Sequence, residues 1–159
     1  MLAVLSVVAC ADLFDTEQGW TPAPSYDPLQ AHSSGLGKIL VVDDEPAIRR
    51  MLSRLLSEAG YQVCEAGDGS EALEIALRDE TGLDLVITDV KMPVMDGREL
   101  GRLLRATLPE LPVLYVSAYA ADAAAGLSAS GEPAAFVRKP FEPDGLLRKV
   151  LAMLRDRGA

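Results

Sequence analysis

The stretch KILVVDDEPAIRRML, Lys38–Leu52, sets four consecutive apolar residues, Ile39 to Val42, directly before three consecutive acids, Asp43, Asp44 and Glu45. A short apolar run bounded by polar residues reads as a buried strand. Acids at its end either mark a return to water or collect a cation. Beyond them Ile48, Met51, Leu52, Leu55, Leu56 and Ala59 recur at helical spacing and stop at Gly60, a residue suited to a helix C-terminus.

The alternation continues along the chain. YQVCEA (61–66), LDLVIT (83–88), PVLYVS (112–117) and AAFVR (134–138) read as further strands. Leu100, Leu103 and Leu104 form another helical stripe, and Leu146, Leu147, Val150, Leu151 and Leu154 form the last. These leucines and Met51 are assigned to the core. Strands alternating with helices of this length predict an α/β domain with a parallel sheet and helices on both faces. The first and third strands are the most continuously apolar, so they should be central.

Composition narrows the functions. The chain has 159 residues, 49% of them apolar, enough to bury one sizeable core. Net charge is −9, and residues 1–37 hold four acids with no Lys or Arg. Such a balance disfavours nucleic acid and anionic membranes as partners. Two cysteines, Cys10 and Cys64, lie far apart, so no disulfide framework or zinc site is indicated, and a reducing cytoplasm is the expected location. The opening MLAVLSVVACA lacks a positive flank, and its 11 residues fall short of a membrane span, so no insertion is expected. DTEQGWTPAPSYDPLQAHSSGLG, which contains the lone His32, reads as a polar linker. Residues 1–37 are therefore expected to be a poorly ordered appendage to a domain spanning 38–157.

In open parallel sheets ligands bind beyond the carboxyl ends of the strands. Those ends carry Asp43 and Asp44, then Asp89, Ser117 and Lys139, while the second strand ends in GDGS. Two carboxylates about 5 Å apart repel by roughly 3 kcal/mol at an effective dielectric of 20, so three converging ones call for a cation or a proton. All-oxygen ligation with room for water suits Mg²⁺, which also binds phosphoryl oxygens.

The segments LVVDDE, LVITDVKMPVMDG, VSAY and FVRKPF, in this order and each at a strand end, resemble the receiver domain of bacterial response regulators, the phospho-accepting module of two-component phosphorelay signalling. The resemblance runs from about Lys38 to Arg155 and implies a flavodoxin-like (βα)5 sandwich with strand order 2-1-3-4-5. By position it implies that Asp89 is the phospho-acceptor and itself part of the Mg²⁺ site, Asp44 a direct Mg²⁺ ligand, Asp43 a ligand acting mainly through water, and the Lys91 backbone carbonyl the remaining protein ligand. Ser117 and Lys139 would engage the phosphoryl group. Phe136 falls on the switch-aromatic position and, lacking a hydroxyl, would rely on packing. Lys91 and Tyr119 fall on positions that tune phosphoryl lifetime. A cis Lys139–Pro140 peptide is expected from the same source. The implied partners are a histidine kinase or a histidine phosphotransfer protein, plus an effector docking on the fourth and fifth helices and fifth strand. No enzyme activity toward an external substrate is expected, only self-catalysed aspartyl phosphorylation and hydrolysis.

Each feature has a simpler reading. Asp43 and Asp44 could be a solvated loop or helix cap, Asp89 a turn residue, and Lys139 a surface ion-pair partner. MDG, 95–97, reads as a turn in which Gly97 supplies a permissive backbone. GDGSEA, 67–72, fits a dinucleotide-binding fingerprint of an oxidoreductase, although such a fingerprint should follow the first strand, where DDEP would repel a pyrophosphate. GLGKI, 35–39, lacks the spacing of a phosphate-binding loop. Within the resemblance, RDRGA after the last helix suggests a single-domain regulator, and the amino-terminal linker suggests the receiver of a hybrid sensor kinase.

Overall fold

A computed structural model describes residues 35–78, 82–118 and 135–157. In chain order the elements are β1 (Lys38–Val42), α1 (Pro46–Glu58), β2 (Gln62–Ala66), α2 (Gly69–Leu77), β3 (Leu85–Asp89), α3 (Gly97–Thr107), β4 (Val113–Ser117), β5 (Ala135–Arg138) and α4 (Pro143–Arg157). The strands form one parallel sheet in the order β2-β1-β3-β4-β5. The expected helix between β4 and β5, and Tyr119 with it, lie outside the described residues.

Side chains alternate across a strand, so β1 and β3 feed both faces of the sheet. Ile39, Val41, Leu85 and Ile87 pack with Leu52 and Leu56 of α1 and with Leu146 and Val150 of α4. Leu40, Val42 and Val86 pack with Ala72 and Ala76 of α2 and with Leu100 and Leu104 of α3. Both strands are thus covered on both sides, which is why their sequences are continuous apolar runs rather than alternating ones. Burying a leucine of this kind contributes about 1.5–3 kcal/mol.

Two core assignments are corrected. Met51 is 47% exposed and Leu151 37% exposed, because each lies at the solvent edge of its helix stripe, beyond the reach of the sheet. The helix ends follow local chemistry. Pro46 opens α1, where its missing N–H costs nothing, and Gly60 follows it with φ 97°. Asp68 and Asp96 cap α2 and α3 by accepting from the N–H groups of Glu71 and Glu99.

The reading of Gly97 as the permissive turn residue is also corrected. The left-handed residue of this loop is Val94, at φ 70° and 86% exposed, an unfavourable conformation for a β-branched side chain. Gly97 is required for a different reason. A Cβ there would run into the main-chain carbonyl oxygen of Asp89, and the Gly97 N–H already donates to the Val90 carbonyl at 2.9 Å. The start of α3 therefore presses directly against the end of β3.

Candidate functional site

Every strand of the sheet points its carboxyl end to the same rim, and the parallel register aligns those ends. Val42 is level with Thr88, Asp89 with Val116, and Ser117 with Arg138. The next residues, Asp43 and Lys139, therefore meet Asp89 although they are distant in sequence. Carboxylate oxygens of Asp43, Asp44 and Asp89 lie within 4.8 Å of one another.

Lys139 stands among them. Its Nζ donates to Asp43 Oδ2 at 2.9 Å and to Asp89 Oδ2 at 3.4 Å. Its backbone N–H donates to the Ser117 carbonyl at 2.8 Å, tying the loop after β5 to the end of β4. The Lys139–Pro140 peptide is cis, as expected. Asp43 is buried, and its other oxygen, Oδ1, accepts from the Glu45 N–H at 2.9 Å. Both of its carboxylate oxygens are thus engaged within the protein. Asp44 is exposed, and Ser117 is buried at the end of β4.

The electrostatics follow from two acids, Asp43 and Asp89, facing one ammonium. Burial pushes the Asp89 carboxyl above its ordinary value, with repulsion from Asp43 adding to it. The Lys139 charge and hydrogen bond and the Lys91 backbone N–H oppose the shift without cancelling it. Burial would lower the Lys139 ammonium, but the hydrogen bond and charge of Asp43, with Asp89 behind them, outweigh it and hold the group above its usual value. An all-oxygen cluster with surplus negative charge and one exposed carboxylate is the donor set of a hard divalent cation, and the residues present fit Mg²⁺.

The remaining expected site residues are less central. The Lys91 side chain is exposed, and its backbone N–H is turned to the Asp89 carboxylate. Phe136 is half-buried on β5 beside Tyr115, on the opposite face of that strand from Ala135 and Val137. The GDGSEA turn does not serve as an anion cradle. Asp68 and Glu71 fold back onto the N–H groups of Glu71 and Gly67, at 2.9 and 2.7 Å, so acids already occupy that helix start.

Two residues at this rim escape a reading of the sequence alone. Arg49 Nη1 donates to the Asp43 carbonyl at 2.6 Å while its Nε pairs with Glu65 Oε2 at 3.2 Å. A basic residue one helical turn beyond the acids is the available signal, but its carboxylate partner is apparent only once β2 is laid against β1.

Residues 39–151 match the family described as the response regulator receiver domain. The chain is 42% identical over 120 residues to response regulator MprA of Mycobacterium leprae, covering 74% of this chain and 51% of that protein. It is also 42% identical over 121 residues to sensor kinase CckA of Brucella abortus, covering 76% of this chain and 13% of the kinase. Among solved structures it superposes on response regulator TrrA of Thermotoga maritima, in complex with Mg²⁺ and BeF, with a TM-score of 0.65 and 35% identity, covering 74% of this chain and 99% of TrrA. The chain spans about half the length of the response regulators it matches. With the sheet order, the acidic rim and these likenesses in agreement, the chain belongs to the response regulator receiver domain family.

Proposed function

We propose that residues 38–157 form a receiver that accepts a phosphoryl group on Asp89, with residues 1–37 a separate appendage. The observation that carries this reading is the meeting of Asp43, Asp44 and Asp89 within 4.8 Å of one another, with Lys139 paired to Asp43 and Asp89. An Asp89 carboxylate oxygen attacks phosphorus. The new O–P bond forms as the P–N bond to a donor histidine breaks, and the imidazole keeps the electron pair. Lys139 offers its ammonium to the transferring oxygens, and the Ser117 hydroxyl donates to one of them once transfer is complete. Asp44 and the Lys91 carbonyl would hold Mg²⁺ directly. Asp43, both of whose oxygens are engaged within the protein, would act through water. When bound, Mg²⁺ supplies neutralisation of the phosphoryl charge.

The phosphoryl group adds negative charge at a rim already rich in it, so Lys139 and Ser117 are drawn inward with the ends of β4 and β5. Phe136, one strand position from Val137 and three before Lys139, is the side chain that would report this movement by repacking. Lys91 and Tyr119 would set how readily water reaches the aspartyl phosphate. The partners are a histidine kinase or a histidine phosphotransfer protein and a downstream effector, in the cytoplasm; none of the described helices is long and apolar enough to cross a membrane.

The test is the intact mass of the protein after acetyl phosphate, with and without Mg²⁺, for wild type and Asp89→Asn. One Mg²⁺-dependent phosphoryl addition, absent from the variant, is expected. No addition to folded, Mg²⁺-loaded wild type sinks the reading. The likeness to a segment of sensor kinase CckA favours a second reading, a relay receiver that passes its phosphoryl group to a histidine on another protein. Loss of label to a histidine phosphotransfer protein would distinguish a relay from a docking switch.

A further inference from the structure

Asp44 is the exposed carboxylate of the cluster, and no hydrogen bond or ion pair among the described residues fixes it directly. The anchoring that the described residues do supply is to the peptide joining it to Asp43, which places the Cα from which its side chain departs. That peptide is planar, so holding its carbonyl oxygen orients the whole unit, including the nitrogen from which Asp44 departs. The oxygen is held by Arg49 Nη1 at 2.6 Å. On the other side of the residue, the Asp43 N–H donates to the Ala66 carbonyl at the end of β2, at 3.3 Å. The Asp43 main chain is thus gripped at both polar atoms.

Arg49 is itself constrained. It lies on the first turn of α1 with a side chain 19% exposed, and its Nε pairs with Glu65 of β2. The guanidinium is a rigid planar fork, so one group can reach a carbonyl and a carboxylate at fixed relative positions, which a lysine ammonium cannot do. Glu65 lies beside Val41 in the sheet, and the fork therefore refers the acidic loop to the β1–β2 pairing rather than to its own flexible backbone.

We propose that Arg49, oriented by Glu65, is the positioning residue of the acidic site: through the Asp43 carbonyl it directs the Asp44 carboxylate toward the divalent cation. This inference rests on the reading of the cluster as a Mg²⁺ site. The charge of Arg49 is matched by Glu65, so its contribution is orientation of a ligand rather than a field at the phosphoryl group. It should therefore act on cation affinity and leave the chemistry at saturating Mg²⁺ nearly unchanged.

The experiment is calorimetric titration of the full chain with Mg²⁺, comparing wild type with Arg49→Gln, Arg49→Lys and Glu65→Gln, each first shown to be folded by circular dichroism. Removing groups that orient metal ligands weakens metal binding by about 10–100-fold, and about tenfold or more is expected for Arg49→Gln. Arg49→Lys should recover part of the loss, because an ammonium can still reach the carbonyl. Glu65→Gln should weaken binding less than Arg49→Gln, and the double variant should bind no more weakly than Arg49→Gln alone. Phosphorylation by acetyl phosphate should need more Mg²⁺ in Arg49→Gln but regain a near wild-type rate at saturation. Wild-type Mg²⁺ affinity in Arg49→Gln overturns the inference and leaves the metal site standing. Failure of wild type to bind Mg²⁺ overturns the site itself. If Arg49→Gln does not fold, unchanged Mg²⁺ affinity in Glu65→Gln overturns the inference in its place.

Discussion

Lys139 Nζ lies 2.9 Å from Asp43 Oδ2, joining the loop after the last strand to the end of the first across 96 positions of sequence. The two side chains are 18% and 2% exposed, so the pair is largely shielded from water. Breaking a buried pair by deleting one partner costs about 3–5 kcal/mol, because the other charge remains desolvated. Lys139→Met is therefore expected to lower stability by about 3 kcal/mol without metal. Saturating Mg²⁺ should return much of that loss by neutralising the acids. Urea denaturation with and without Mg²⁺ checks this; an equal loss in both conditions would contradict it.

Asp89 gives a pH-dependent signature. Its folded value is raised above 3.8 by burial and by Asp43, so the folded state holds a proton that the unfolded state releases. The stability it contributes is complete below the unfolded value and is lost as pH rises through the folded value. Above the folded value the charged carboxylate is a net cost to the metal-free fold, and Asp89→Asn removes it. The variant should be at least as stable as wild type at pH 7, with the gap closing toward pH 3.8. Urea midpoints across that range decide the matter.

Gly97 separates steric need from conformational freedom. Its φ is not positive, yet a Cβ would overlap the Asp89 carbonyl oxygen, a main-chain atom with little room to yield. Gly97→Ala should cost about 4 kcal/mol or more, or displace the start of α3 from the end of β3. A midpoint within the range of ordinary surface substitutions would contradict this.

The correction at Met51 yields a paired test. Leu56 is fully buried under the sheet on the same helix, whereas Met51 is 47% exposed. Leu56→Ala should cost about 2–5 kcal/mol, and Met51→Ala about 0.5 kcal/mol or less. Chemical denaturation of the two variants measures both.

Much of this protein is legible in one dimension. Apolar runs such as Ile39–Val42 must be buried on both faces, and that condition alone makes β1 and β3 interior strands. Polar residues at the ends of parallel strands must then share one rim, which is why the sequence alone places Asp43, Asp44, Asp89, Ser117 and Lys139 together at the strand ends. Periodicity was less informative at the margins of a helix: Met51 keeps helical spacing with the core but faces water, because stripe width depends on what packs against it.

Only the tertiary structure decided how charge is distributed within the rim. It set Lys139 closer to Asp43 than to Asp89, engaged both oxygens of Asp43, and turned Arg49 onto a carbonyl while Glu65 held it from the neighbouring strand. It also gave the left-handed conformation to Val94 rather than to Gly97. These are relations between segments whose separation in space is unrelated to their separation in sequence. Hydrophobic patterning brings the segments together, but ångström-scale registration among strands selects which charged groups meet.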